Sequence, residues 1–216
     1  MDATVNCNRD ATVRFAMKAT PSPHLCRLSL GAIEHVRNLV PIPDMASAWP
    51  ESITAIPMLV THKPADDKST TDRNEASILL AMREAGFDTF WISHQLPIGR
   101  YDSPVSAYAY EAEYVEFLNH ASWSASGSLD EVLLKPLRAA RGESKRDLFI
   151  VPHMMGSHRG YDFRYPDGYR RIRPTLSDPG DGISQRENAR NSYDNTILCT
   201  DYVLASISAS CMSMAQ

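Results

Sequence analysis

Long apolar runs are missing from this sequence: the longest, such as Ile78 to Met82, fall far short of the roughly 20 residues a membrane-spanning helix needs, so no membrane span is expected. Met1 to Asp10 lack a basic segment followed by an apolar one, so no secretory leader is expected and the chain as written reads as cytoplasmic. No sign of charge dominates either. The 22 basic and 26 acidic residues leave a formal net charge of −4, which argues against a general nucleic-acid binder. Cysteine is sparse: Cys7, Cys26, Cys199 and Cys211 show no CxxC spacing, which points away from a zinc knuckle or a disulfide framework. What remains is a chain of 216 residues, 43% hydrophobic and 22% charged, with the make-up of one ordinary globular domain.

The richest stretch runs from Asp147 to Arg173, DLFIVPHMMGSHRGYDFRYPDGYRRIR. Leu148 to Val151 form a short apolar, β-rich run of the kind buried in parallel sheets. His153 and His158 follow, flanking Gly156 and Ser157, which mark the passage from strand to loop. Ligands in open α/β sheets bind at the carboxyl ends of strands, so both imidazoles are expected at the edge of a crevice. Arg159, Arg164, Arg170, Arg171 and Arg173, interleaved with tyrosines and Phe163, suit an anion-binding rim. A hydrogen-bonded histidine pair and a solvated arginine loop account for the same pattern.

The rest of the chain reads in order. Residues 1–34 are irregular in pattern and Glu34 to Ile42 suggests a short strand closed by Pro41 and Pro43. Pro50, Glu51 and Ser52 precede the apolar run Ile53 to Val60, a helix-start pattern. Ser52 and Thr54 then lie in a first turn, where free backbone N–H groups favour an anion and a hydroxyl can serve as a nucleophile; from spacing alone, simple capping is the more economical reading of both. Arg73 to Ala85 predicts an amphipathic helix ended by Gly86, and Thr89 to Ser93 a buried strand. Tyr101 to Asn119 is expected to be helical, Asp130 to Arg141 a helix kinked at Pro136, and Gln185 to Ile207 one long helix. Asp178 to Gly182 is turn-rich, and residues 208–216 form a tail without periodicity.

These residues resemble the sulfatase-like catalytic domain of bacterial phosphoethanolamine transferases. The matching segments are IPMLVTHKP at 56–64, ILLAMREAGFDTFWISHQ at 78–95, GSLDEVLLKPL at 127–137, IVPHMMGSHRGYDFRYP at 150–166 and NSYDNTILCTDYVLASI at 191–207. The resemblance implies an α/β sandwich of the alkaline-phosphatase type with a mostly parallel central sheet, incomplete at the carboxyl terminus, over residues 35–207. It implies an inner-membrane enzyme with a periplasmic catalytic domain and zinc as cofactor, moving phosphoethanolamine from phosphatidylethanolamine to lipopolysaccharide or another envelope glycan through a covalent hydroxyl intermediate.

Carried over by position, the nucleophile falls on Ser52, with Thr54 as rival; His153, His158 and Arg164 fall in the substrate site, and the two histidines can hold a second zinc. The family's first metal motif, expected near Asn6 to Asp10, has Val5 in place of its glutamate, and its last acidic and histidine ligands have no counterpart before Gln216. Two alternatives follow: a catalytically inactive remnant that binds anions, and a sulfatase- or phosphodiesterase-type hydrolase.

Overall fold

The computed structural model describes residues 3–7, 13–15, 47–67, 75–99, 102–119, 127–178 and 184–212. Five strands form one sheet: β1 Ala3–Cys7, β2 Val13–Phe15, β3 Asp88–Ser93, β4 Tyr114–Phe117 and β5 Leu148–His153, in spatial order β2-β1-β5-β3-β4. The β5, β3 and β4 strands run parallel, as expected; β1 adds antiparallel to β5, and β2 antiparallel to β1.

All six residues of β5 are buried, so the strand needs apolar cover on both faces. The pleat sends Leu148 and Ile150 to one side, where they pack with Leu133, Leu137, Ala140, Val203, Leu204 and Ile207. Phe149 and Val151 point to the other, against Ile56, Val60, Leu79, Trp91, Val105 and Tyr108. Helices α1 Ser52–Val60, α2 Ile78–Glu84 and α3 Ser103–Ala109 supply the second face; α4 Leu134–Glu143 and α5 Gln185–Met212 supply the first. The result is a three-layer sandwich with the central sheet between two helical layers.

Several boundaries differ from the sequence expectation, each for a local reason. The first helix of the amphipathic segment begins at Ile78 because the Ser77 hydroxyl accepts from the Leu80 amide at 3.3 Å, and it ends before Gly86, whose φ of 92° reverses the chain. The segment expected to be helical to Asn119 splits instead into α3 and the strand β4, where burial alternates with a period of two and Tyr114 stacks on Phe90 at 4.5 Å. The kink expected at Pro136 does not form. Asp130–Leu133 is a short 3-10 turn and α4 starts after it, which places Pro136 in the first turn of α4, where a missing N–H leaves no hydrogen bond unmade.

Two stretches read as irregular carry regular structure. Ala3–Cys7 and Val13–Phe15 join the sheet, and α5 runs past Ile207 to Met212. Along its last turns Ser206, Ser208 and Ser210 return their hydroxyls to the carbonyls of Tyr202, Leu204 and Ser206 at 2.8–2.9 Å, so these polar side chains are satisfied within the helix itself. The strand expected at Glu34 to Ile42 and the turn beyond Asp178 lie outside the described residues.

Candidate functional site

Parallel pairing puts the carboxyl ends of β3 and β5 at the same edge of the sheet, with Ser93 opposite His153. The His94 amide donates to the His153 carbonyl at 2.8 Å, continuing the ladder one step past the strand. Beyond this edge the chain opens into a cleft of about 730 Å³. Ser52 and Ile53 from α1, Gln95, Asp102 and Ser106 around α3, and His153, Met155, His158 and Arg159 after β5 line it.

Ser52 is the first residue of α1. The N-cap is Glu51, whose side chain makes no capping bond, so capping does not explain Ser52 or Thr54. The amides of Thr54 and Ala55 are taken by the Glu51 carbonyl at 3.1 and 2.9 Å. The first-turn amides of Ser52 and Ile53 belong to the set that a helix leaves without intrahelical acceptors, and both residues face the cleft. Ser52 is exposed there, whereas half-buried Thr54 is not among the lining residues.

His153 is 4% exposed, with Nδ1 at 3.0 Å from the Ser93 hydroxyl and the ring edge-on to Trp91 at 5.3 Å between centroids. The loop that carries the two histidines is fixed from outside. The Asp130 carboxylate accepts the amides of Met155 at 2.8 Å and Gly156 at 2.7 Å, and its Oδ1 lies 2.8 Å from His94 Nδ1. The other nitrogen of His94 lies 2.8 Å from the Ser128 hydroxyl, and the ring is 2% exposed. Gln95 adds a bond from its side-chain amide to the Met154 carbonyl at 2.8 Å. A charged acceptor on two adjacent amides holds such a loop more firmly than neutral contacts would.

His158 stands at the rim. Desolvation by the cleft walls holds its imidazole below the ordinary value, opposed by a hydrogen bond to the Arg159 backbone and by the Asp102 charge, and furthered by Arg164. Burial raises the Asp102 carboxyl, while His153 and His158 pull it down. Arg164 is half-buried and gives Nη2 to the Arg159 carbonyl at 3.2 Å; it is not among the lining residues, and Arg159 takes the rim position.

The structure thus brings Ser52, His153 and His158 to one cleft and leaves Thr54 and Arg164 outside its lining. Sequence reasoning missed Asp102, His94 and Asp130. Asp102-Ser103-Pro104 was readable as a helix start, but nothing local signals that His94 and Asp130, 36 residues apart, meet.

Among the described residues, no group of three or more His, Cys, Asp or Glu side chains is placed to hold a metal ion. A zinc site of at least three protein ligands is therefore not built from them. In strand β1, Cys7 pairs with Leu148, at the opposite end of β5 from His153. Among the described residues no helix is long and apolar enough to cross a membrane.

A sandwich of this kind, with its cleft at the carboxyl edge of the parallel strands, is the fold of a group of solved bacterial periplasmic domains. The C-terminal periplasmic domain of EptC from Escherichia coli, in complex with Zn, superposes with a TM-score of 0.73 at 20% identity, over 95% of this chain and 56% of that one. That of EptC from Campylobacter jejuni gives 0.61 at 24% identity, over 74% and 48%. The chain belongs to the sulfatase family, whose model matches residues 20–210.

Within it the chain is similar to the phosphoethanolamine transferases EptC of Escherichia coli K12, 25% identical over 62% of this chain and 23% of that protein, and CptA of Salmonella typhimurium, 28% identical over 56% and 21%. EptA of Escherichia coli O157:H7 is 26% identical over 77% of this chain and 30% of its own length. The chain spans less than a third of the length of these relatives.

Proposed function

We propose that the cleft binds a phosphate ester and that Ser52 takes the phosphoethanolamine group from phosphatidylethanolamine, passing it to lipopolysaccharide or another envelope glycan. The observation that carries this reading is that Ser52 and the two histidines, far apart in sequence, line one cleft, with Ser52 on an uncapped helix start. In the first half-reaction Ser52 Oγ forms a bond to phosphorus as the bond to the diacylglycerol oxygen breaks. The hydroxyl proton goes to a cleft imidazole and from there to the leaving alkoxide. In the second, an acceptor hydroxyl attacks phosphorus, the Oγ–P bond breaks and Ser52 recovers its proton.

The first-turn amides and Arg159 face the phosphoryl oxygens throughout, supplying charge stabilisation where it develops. Zinc is carried by the neighbouring EptC domain; retention of a zinc ion by this chain would need ligands beyond the described set. The compartment follows the substrates, so this reading places the chain on the periplasmic side of the membrane rather than in the cytoplasm.

The test is incubation of the full chain with phosphatidylethanolamine vesicles, followed by intact-mass and peptide mapping. A phosphoethanolamine adduct on Ser52 is expected, lost by about 100-fold or more in Ser52→Ala and kept in Thr54→Ala. An adduct that survives Ser52→Ala overturns the assignment of the nucleophile. Phosphate binding without any adduct favours the anion-binding alternative.

A further inference from the structure

We propose that Asp102 recognises a primary ammonium on the phosphate ester held in the cleft, so that the cleft selects a zwitterionic ligand over a plain phosphate; this rests on the phosphoethanolamine reading above. Asp102 is half-buried in the cleft wall, and with exposed Glu51 it is the acidic part of a lining whose other ionisable groups are His153, His158 and Arg159.

Local structure does not explain its carboxylate. Asp102 is the N-cap of α3, where an aspartate ordinarily accepts an amide of the first turn, yet it makes no such bond and the second helical residue, Pro104, has no amide to give. Among the described residues the carboxylate has no hydrogen-bond or ion-pair partner. The place it occupies exists because residue 99 is glycine: a Cβ there would collide with Asp102 Oδ2.

Burial disfavours the charged carboxylate while the imidazoles of His153 and His158 favour it, so the group lies within their field. A lone phosphate in this cleft meets an opposing charge at Asp102. A phosphate ester with an ammonium two carbons away does not: its anionic end faces the α1 amides, the imidazoles and Arg159, and its cationic end reaches the carboxylate. The shared chemistry is a phosphate ester bearing a primary amine, offered either as a lipid headgroup or as a free small molecule.

The experiment is calorimetric titration of the full chain with O-phosphoethanolamine and with ethyl phosphate, which differ in the ammonium alone. The wild type is expected to prefer phosphoethanolamine by about fivefold, the size of one partly exposed ion pair. Asp102→Asn should bind the two equally, and Asp102→Glu should keep a preference. Equal binding by the wild type, or a preference that persists in Asp102→Asn, overturns the ammonium assignment and leaves the phosphate cleft standing. Failure of the wild type to bind either compound overturns both readings.

Titration with zinc chloride closes the remaining route: if Asp102→Asn loses zinc affinity and keeps the ligand preference, Asp102 is a metal ligand and the proposal is wrong. Repeating the pair as dihexanoyl phosphatidylethanolamine and dihexanoyl phosphatidylglycerol separates the sources. A larger preference in the lipid pair assigns the headgroup, a preference confined to the soluble pair assigns the free ester, and none in either overturns the proposal.

Discussion

The two ends of the parallel strands carry similar residue types and use them differently. At the amino end, Asp88 pairs with Arg146 and receives the Ser144 hydroxyl, Arg146 also reaches Glu113 at 3.3 Å, and Glu113 and Thr89 exchange bonds through their amides and side chains at 3.3 and 3.0 Å. Asp88 and Glu113 both have partners supplied by the fold. At the carboxyl end, the paired groups form an outer ring: His94, Ser128 and Asp130 satisfy one another and the Met155 and Gly156 amides. Inside that ring, Ser52 and Asp102 have no hydrogen-bonding partner for their side chains among the described residues. A cluster of charges is thus no sign of a site by itself; a site is where rigid, satisfied groups hold unsatisfied ones toward solvent.

That difference is tested most strongly by removing one carboxylate from each end. Asp130→Ala leaves two buried amides and the buried His94 ring without their acceptor, and a loss of about 3 kcal/mol in denaturant unfolding is expected. Amide exchange at Met155 and Gly156 should accelerate together with it. Asp88→Ala abandons half-exposed Arg146, which water can serve, and the Ser144 hydroxyl, which keeps the Arg146 carbonyl as an acceptor, and should cost about 1 kcal/mol with no change in exchange at the histidine loop. Equal losses from the two variants, or an unchanged loop in Asp130→Ala, would break the distinction between a supporting ring and a structural ion cluster.

Legibility in the sequence followed the same line. The buried run Leu148 to Val151, the helix start at Ser52 and the long helix from Gln185 were readable because apolar periodicity and helix-end residues are local signals. The strand β4 was not: Tyr114, Val115, Glu116 and Phe117 alternate, but over four residues set among other tyrosines and acids the period of two is hard to tell from a helix face. The strand β1 owes its place to pairing with β5, more than 140 positions later in the chain, which no local pattern reports. Within the site, the two histidines were readable from their spacing around Gly156, while Asp130 was not, because its role is defined by backbone amides 25 and 26 residues away. The antiparallel direction of β1 was likewise invisible, and it places Cys7 opposite Leu148, at the end of β5 away from the cleft.

Asp201 sharpens the comparison from a third position, since it shares desolvation with Asp102 and lacks its neighbours. Burial alone raises its carboxyl from 3.8 to about 6, with no charge contributing, whereas Asp102 feels two imidazoles. A raised folded-state pKa means the native protein binds that proton more tightly than the unfolded chain does, so this group lowers stability as pH rises from about 4 through about 6. Asp201→Asn is therefore expected to stabilise the protein by about 1 kcal/mol at pH 7, a figure reduced for partial exposure, and to make no difference below pH 4. Thermal melts of both proteins across that range provide the check. A benefit that is constant with pH would mean that packing, not the buried charge, separates Asp201 from its amide.

The finest test concerns the space beside Asp102. In Gly99→Ala the new methyl group must displace the Asp102 carboxylate, the flexible end of a side chain, while the Gly99 amide and carbonyl keep their bonds to Ser103 at 3.2 and 3.0 Å. Fold stability should then stay within about 0.5 kcal/mol of the wild type, as for a surface substitution that a side chain can accommodate. The preference for phosphoethanolamine over ethyl phosphate should fall by about twofold, because the carboxylate keeps its charge and loses its position relative to the imidazoles. Ligand titration read beside a thermal melt separates the two effects: an unchanged preference would show that Asp102 acts through its charge at any nearby position, and that the glycine has no part in aiming it.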